Sequence, residues 1–304
     1  MVSFVILDYN SSQLTARCVQ SIRQHVPSSH YEIIIVDNGG QTGNALQLDK
    51  LAAADCRIVH CHINGGFGLG NQLGAHLAKG QYLCFLNSDV ELTNDCITPL
   101  TTYLTSHPRT GCITPRQTRP DGKPARSFRH NPAIRHRIFG YRLFEKLCPH
   151  QYPSRDNMPE TPFNVPQING SFMLFPSKTF WAIGGFDTNI FLFYEEYDLG
   201  MRLRRKGFTC TVYPQATFLH CHGATIDKTQ THRNIRRELL ISQIYVYRKH
   251  HTCLHALAYQ SLLLLEHLFR PHHWYLLPIL CRGEALSRSL RHTTWQKPEQ
   301  PERA

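Results

Sequence analysis

The segment NGGFGLGNQLGAHLAKGQYLCFLNSDVEL, residues 64–92, carries the architecture of the chain. Its glycines at 65, 66, 68 and 70 let a backbone come close to a ligand. The residues behind them have helical spacing, and Tyr82–Leu86 is an apolar strand that closes on Asn87-Ser88-Asp89. A glycine loop, a helix and a buried strand ending in a carboxylate make one unit of a βαβ layer. The loop lacks the strand-adjacent G-x-G-x-x-G frame of a dinucleotide fingerprint, so that reading is discounted. In such sheets ligands bind beyond the carboxyl ends of the strands, which puts Asp89 on the ligand side. A hard divalent cation on a pyrophosphate needs one or two carboxylates there, with phosphate and water completing its shell.

Toward the N-terminus the same pattern repeats. Val2–Leu7 is an apolar run followed by Asp8-Tyr9-Asn10-Ser11, a strand-to-helix turn with a capping residue. Leu14–His25 has helical spacing and stops at Pro27, and Glu32–Val36 and Arg57–His62 read as further strands. The fold class is therefore α/β, a mostly parallel Rossmann-like sheet flanked by helices. Asp37, in the Asp37-Asn38-Gly39-Gly40 strand end, is placed to accept hydrogen bonds from a nucleobase or ribose, although Asp-Asn-Gly is also an ordinary turn.

Toward the C-terminus, residues 114–167 are rich in Pro and Arg and read as a long loop region with short helices. Ile168–Pro176 resumes an apolar run, Lys178–Gly185 is a short helix, and Thr209–Tyr213 and Ala216–Leu219 read as strands. Between them stands Phe191–Tyr194, then Glu195, Glu196 and Asp198, with Asp198–Lys206 helical to Gly207. Three carboxylates within four residues after an aromatic run are not an ordinary solvated face. A transfer to a hydroxyl needs a carboxylate as general base, and apolar surroundings plus a second carboxylate raise such a group's pKa. Glu196 is the candidate base, with Glu195 as its neighbour. Asp198 reads as a helix cap paired with Arg202 four residues on.

The chain has 304 residues, a hydrophobic fraction of 41% and a net charge of +11. Residues 1–115 hold six Lys/Arg against eight Asp/Glu, residues 116–155 ten against two, and residues 226–304 twelve against six. A basic middle and tail fit polyanionic partners such as pyrophosphates or anionic lipid. The opening MVSFVILDYN reads as a strand rather than a signal peptide, and no stretch reaches the roughly 18 to 20 apolar residues of a spanning helix. A cytoplasmic setting is expected, with the eleven cysteines reduced and mostly buried. His60-Cys61-His62 and His220-Cys221-His222 have metal-like spacing, but buried or surface side chains are favoured over structural zinc. From Arg233 the chain reads as helical, with Leu254, Leu257, Ser261, Leu262, Leu265, Leu268 and Phe269 in one stripe. That stripe is expected to pack on the catalytic core. Its basic flanks and Trp274-Tyr275 make docking at a membrane surface the alternative.

In order, VSFVILDYN (2–10), IIIVDNGG (33–40), residues 64–92, GSFMLFPSKTFWAIGGFD (170–187), FLFYEEYDLGMRLRRKG (191–207) and HCHGAT (220–225) resemble family-2 glycosyltransferases. The rhamnosyltransferase-like branch of bacterial surface-polysaccharide synthesis is the closest in pattern. The resemblance covers about residues 1–225. It implies a GT-A fold over residues 1–232, a helical extension over 233–304, and inverting transfer from a dTDP- or UDP-linked sugar with Mg²⁺ or Mn²⁺. Carried over, Glu196 matches the base, Asp89 and His220 the metal or pyrophosphate side, and Asp37 the nucleobase contact. Tyr9, Asn64 and Asn71 join the nucleotide side, and Glu195, Asp198 and Arg202 stand as supporting residues. Asp8 replaces a common Asn, Asn87-Ser88-Asp89 keeps one carboxylate where relatives have two, and Glu196, one methylene longer, stands where many relatives have Asp; Thr225 replaces a usual Ser. The implied acceptor is a glycan or lipid-linked glycan of lipopolysaccharide or capsule synthesis, reached by peripheral contact of the basic C-terminal helices with the inner face of the cytoplasmic membrane.

Two other classes compete. A nucleotidyltransferase would show a Gly- and basic-rich phosphate loop near the N-terminus, which LDYNSSQLTAR (7–17) does not offer. A non-catalytic nucleotide- or nucleic-acid-binding protein fits the charge, but the basic residues lie in a loop region and the tail without a recognition module, so no nucleic-acid partner is expected.

Overall fold

The computed structural model describes residues 1–27, 30–221 and 232–282. Its strands are β1 (Val2–Asp8), β2 (Tyr31–Asn38), β3 (Cys56–Cys61), β4 (Tyr82–Asn87), β5 (Val90–Leu92), β6 (Thr110–Thr118), β7 (Phe128–Arg129), β8 (Phe163–Val165), β9 (Gln167–Ile168), β10 (Phe172–Pro176) and β11 (Thr209–His220). The helices are α1 (Ser12–His25), α2 (Thr42–Asp49), α3 (Gly66–Leu77), α4 (Ile97–Ser106), α5 (Ile134–Phe139), α6 (Tyr141–Leu147), α7 (Ser177–Ala182), α8 (Glu195–Arg205), α9 (His232–His250), α10 (Cys253–Leu268) and α11 (Leu277–Arg282).

The main sheet runs β3-β2-β1-β4-β10-β6-β11-β5, with β8 against β11. β1 pairs in parallel with β2 and β4, β2 with β3, and β6 with β11. β10 is antiparallel to both neighbours and β5 is antiparallel to β11. Central parallel strands are covered on both faces, which is why β1, β2 and β4 are nearly continuous apolar runs. Phe4, Ile6, Cys84 and Leu86 face one core with Cys18 and Ile22 of α1. Val5, Leu83 and Phe85 face the other, against Phe175, Phe180 and Phe186.

Register brings the polar strand ends to one edge. Asp8 lies beside Asp37, Leu7 beside Asn87, and Asp37 beside His60. Because β10 runs the opposite way, its first residue Phe172 meets Leu86, so Gly170 and Ser171 arrive at the same edge, and the Asn87 N–H donates to Ser171 O at 3.0 Å. β5 returns along β11, setting His220 beside Val90, and the Cys221 N–H donates to Asp89 O.

Three sequence expectations change. Residues 114–118 belong to β6 rather than to a loop, and Thr209–Tyr213 and Ala216–Leu219 are one strand. Both misreadings come from proline. Pro115 pairs with Tyr213 just where the β11 register shifts, so Pro115 and Pro214 share an irregularity that tolerates a missing N–H. The third concerns α10, which buries Ala256, Tyr259, Gln260 and Leu263 against α9, stacking Tyr259 on Tyr247 at 3.8 Å. The stripe expected to pack is turned outward: Leu254 is 78% exposed, Leu257 58%, Leu265 53% and Phe269 84%. A helix apolar on most of its circumference does not tell from spacing which face is buried.

Candidate active site

The strand ends open into a cleft of about 430 Å³ whose walls include Asn87, Gln117, Gly170, Ser171, Glu196 and His220. Glu196, in the first turn of α8, accepts the Gly170 N–H at 2.9 Å. The helix begins at Glu195 rather than Asp198 because Phe193 and Tyr194 take left-handed backbone angles, φ 70° and 72°. Two successive non-glycine residues there are strained, by about 1–3 kcal/mol each. Neighbours hold the turn: the Phe67 N–H donates to Phe191 O at 2.7 Å, and Ser242 Oγ of α9 donates to Leu192 O at 2.8 Å. Gly66 makes this approach possible, since its φ is +83° and a Cβ would lie 2.1 Å from Phe191 O.

Glu195 is buried, and its Oε1 has no hydrogen-bond partner among the described residues. Burial, and then the charge of Glu196 beside it, push its pKa well above the ordinary 4.5. Its surroundings favour the neutral acid next to the candidate base. Asp198 behaves oppositely. Burial alone would raise its pKa, but His250, Arg202 and Lys249 outweigh it and hold the carboxyl far below the usual range. Since α8 starts three residues earlier than expected, Asp198 is not a cap but the centre of a buried network. Arg202 donates from Nε at 2.8 Å, His250 from Nε2 at 2.8 Å and Lys249 from Nζ at 2.6 Å. The Arg202 Nη1 donates to the carbonyls of Ile183 and Gly185, which commits this arginine to structure.

His220 lines the cleft while Asp89 lies behind it, its Oδ1 3.0 Å from His220 Nε2, and both residues are buried. Gln117 was invisible to sequence reading because it lies in the segment taken for loop. It is fully buried on β6, with Nε2 3.1 Å from His220 Nδ1 and Oε1 accepting from Ser171. An amide in that position fixes the imidazole's tautomer and orientation. Among the described residues no three His, Cys, Asp or Glu side chains gather as an all-protein metal cage. A carboxylate and an imidazole side by side fit a different case, a cation that takes its other ligands from phosphate and water.

On the β1–β3 side, Asp8 is fully buried and binds Ser11 Oγ, Thr15 Oγ1 and Asn44 Nδ2. Ser11 Oγ in turn meets Ser88 Oγ at 3.0 Å, which ties this network to the residue before Asp89. Asp37 accepts from the Gly40 N–H and from His60 Nδ1. His60 also binds Asp49, and bonding to Asp37 and then Asp49 raises its pKa, so the first residue of the first His-Cys-His triplet bridges two carboxylates. Asn64 Oδ1 accepts from Asn38 Nδ2 and the Gly66 N–H, shaping the glycine loop. Asn71 is buried in α3, its Nδ2 donating to Phe67 O. Tyr9 is half-buried at the edge. His222 and Thr225 lie outside the described residues.

The sequence model of Glycosyl transferase family 2 matches residues 3–183. The N-acetylglucosaminyl-diphospho-decaprenol L-rhamnosyltransferase of Mycobacterium tuberculosis (strain CDC 1551 / Oshkosh) is 26% identical over 214 residues, 62% of this chain and 66% of that protein. The mannosyltransferase PcManGT from Pyrobaculum calidifontis, in complex with GDP-Man and Mn²⁺, superposes with a TM-score of 0.58 at 15% identity, covering 94% of this chain and 74% of the other. GalNAc-T7 with UDP, GalNAc and Mn²⁺ gives a TM-score of 0.58 at 17% identity, covering 81% of this chain and 49% of the other. The chain thus spans just under two thirds of the rhamnosyltransferase and about half of GalNAc-T7. With its mostly parallel sheet, its flanking helices and its match over more than half its length, this chain has the GT-A fold and belongs to glycosyl transferase family 2.

Proposed function

We propose that the chain transfers a sugar from a nucleoside diphosphate sugar, uridine- or thymidine-linked, to an acceptor hydroxyl with inversion at the anomeric carbon. One observation carries this reading: Glu196, fixed by the Gly170 N–H, shares a cleft with His220, the partner of Asp89. The acceptor hydroxyl attacks from the face opposite the nucleotide, and Glu196 takes its proton. Holding both substrates in line makes the encounter nearly unimolecular. Asp89 and His220 would hold a divalent cation, Mg²⁺ or Mn²⁺. Such an ion, when bound, neutralises charge that develops on the leaving diphosphate. Gln117 orients His220, and the burial of Glu195 disfavours a second charge beside the base. Asp37 and Tyr9 receive the nucleoside, while Asn64 and Asn71 shape the glycine loop around it. Arg202 and Asp198 position α8 and touch neither substrate.

The acceptor is a glycan or lipid-linked glycan of a bacterial surface polysaccharide. Residues 1–232 carry the catalytic unit and the helical extension follows as α9, α10 and α11; residues 283–304 lie outside the described residues. No helix among the described residues is long and apolar enough to cross a membrane. The outward face of α10, continuing into Arg270 and with Trp274 56% exposed beside the Arg236–His273 contact, fits an anionic membrane surface on the cytoplasmic side.

Two variants test the assignment. Glu196→Gln keeps the side chain's shape but removes the base, and should lower kcat by about 10²- to 10⁴-fold while nucleotide binding stays intact. Asp89→Ala should abolish the metal dependence of nucleotide affinity in calorimetry. Wild-type turnover in the first, or unchanged metal-dependent affinity in the second, removes that residue from the mechanism.

A further inference from the structure

Asp37, proposed above to receive the nucleoside, is only 2% exposed, and both of its carboxylate oxygens are engaged. Oδ1 accepts the Gly40 N–H at 3.0 Å, and Oδ2 lies 2.9 Å from His60 Nδ1. Its remaining lone pairs have no open approach, so a nucleoside reaches the carboxylate only when one of these two covers leaves. The Gly40 side is pinned. A Cβ on Gly39 would lie 2.4 Å from the Ile63 backbone, the Asn38 side chain bonds Asn64 and Gly65, and the Gln41 N–H donates to Asn10 Oδ1 at 2.7 Å. His60 is the movable cover. It stands beside Asp37 in the register of β2 and β3, its side chain is 39% exposed, and a change of side-chain torsion is enough to swing it away.

The ring also has a second partner to stay with. Its Nε2 lies 2.9 Å from Asp49 Oδ1 at the end of α2, a carboxylate 55% exposed. A neutral imidazole carries one N–H and an ionised carboxylate only accepts, so the ring bonds both carboxylates only as the imidazolium. Asp37 of β2 and Asp49 of α2 are the charged groups that act on it. Glu32, Asp55, Arg57 and Lys79 border the same groove, with Glu32 paired to Arg57 and Asp55 to Arg23.

We infer that His60 is a positioning residue acting through Asp37: as the imidazolium it covers the carboxylate, and a pyrimidine nucleoside takes its place while the ring keeps Asp49. The inference rests on the reading of Asp37 as the nucleoside contact. Its sign follows from linkage. A ring that has lost Asp37 holds its proton less tightly, so nucleotide binding near neutral pH releases a proton to solvent, and by reciprocity added protons weaken nucleotide binding. Affinity therefore rises with pH between the pKa of the ring in the complex and its higher pKa in the unliganded protein, and levels off above the latter.

Calorimetry with UDP-glucose and dTDP-glucose at saturating Mn²⁺ tests this, because their diphosphodiesters do not titrate near neutral pH. In wild-type protein at pH 7, titrations in buffers of different ionisation enthalpy should report release of about half a proton or more, and Kd should fall about tenfold from pH 6 to pH 8, the effect of one pKa unit. His60→Gln should release no proton and keep its affinity within about twofold over that range. Asp49→Asn, an exposed substitution that leaves the fold alone, should move the rise in affinity to lower pH. Binding by the wild-type protein without proton release, or equal release by His60→Gln, overturns the inference and leaves the donor reading intact. Proton release together with undiminished affinity in Asp37→Asn overturns it too, since the proton then comes from elsewhere. Binding of neither sugar nucleotide overturns the uridine- or thymidine-linked donor reading and this inference with it.

Discussion

Replacing Asp198 by Asn tests whether the network behind Glu196 holds the cleft together. The substitution conserves volume and removes one charge. The carboxylate it removes is 1% exposed and meets Arg202, Lys249 and His250 at 2.5–2.8 Å. Breaking a buried ion pair by deleting one partner costs about 3–5 kcal/mol, because the remaining charge is left uncompensated. Arg202 keeps 16% and Lys249 29% of its side-chain exposure, so water recovers part of that loss, and the lower end, about 3 kcal/mol, is expected. At roughly 2–4 °C per kcal/mol for a domain of this size, Tm should fall by about 6–12 °C. Urea unfolding at neutral pH gives the same quantity as a free energy. The pH dependence supplies an independent check. The folded pKa of Asp198 lies below the ordinary 3.8, so its stabilisation is complete above that value and fades as pH falls through and below it. The gap between wild type and Asp198→Asn should therefore be full at pH 6 and narrow below about pH 4. A loss under about 1 kcal/mol, or a gap that stays constant into acid, would show that Arg202, Lys249 and His250 find other partners and that the network carries little.

Three further outcomes follow from the same geometry. Glu195→Gln should stabilise the protein above pH 4.5, where the unfolded chain ionises and the folded one does not. The gain grows by up to about 1.4 kcal/mol per pH unit toward the folded pKa and vanishes in acid, and a pH-independent difference in urea titrations would contradict it. In Gly170→Ala the new methyl would stand 2.7 Å from Glu196 Oε1, so the flexible carboxylate must shift. Stability should change by less than about 1 kcal/mol while kcat drops about 10²-fold, and normal turnover would mean that the Gly170 contact does not place the base. Finally, Leu254→Ser, Leu257→Ser and Phe269→Ser combined should weaken co-sedimentation with anionic vesicles at least about tenfold, with neutral vesicles binding poorly throughout. Equal sedimentation of variant and wild type would remove the membrane assignment.

The strand ends were legible in the sequence because the physics there is local. An apolar run covered on both faces must end in polar residues, and Asp8, Asp37 and Asp89 mark those ends directly. What lies across the sheet was not legible in that way. Asp89 and His220 are 131 residues apart and meet only because β5 folds back along β11. Gln117 was hidden by Pro115, whose missing N–H reads as a loop until the matching irregularity in β11 is seen. The start of α8 had no signal at all. A left-handed pair at Phe193-Tyr194 is set by tertiary clamps, not by residue preference, and α8 has no side-chain capping bond. The outward face of α10 was equally undetermined, since Leu254 and Leu263 are indistinguishable by spacing until one is found 78% exposed and the other fully buried.

The clamp on residues 191–194 also bears on how the two halves of the chain relate. A strained turn and a buried neutral Glu195 both disfavour the geometry that presents Glu196, so something must hold it against relaxation. One restraint comes from the glycine loop, through Phe67 and Phe191. The others come from α9: Ser242 on the Leu192 carbonyl, His250 and Lys249 on Asp198, and Leu239 in the cleft wall. Tyr197 of α8 packs in the same apolar cluster as Leu240, Ile244 and Tyr247. The helical extension is thus a structural part of the site that places Glu196, whatever its outer face touches. A change on that outer face can reach catalysis only by moving α9 against α8, and the close packing of that interface makes such movement costly.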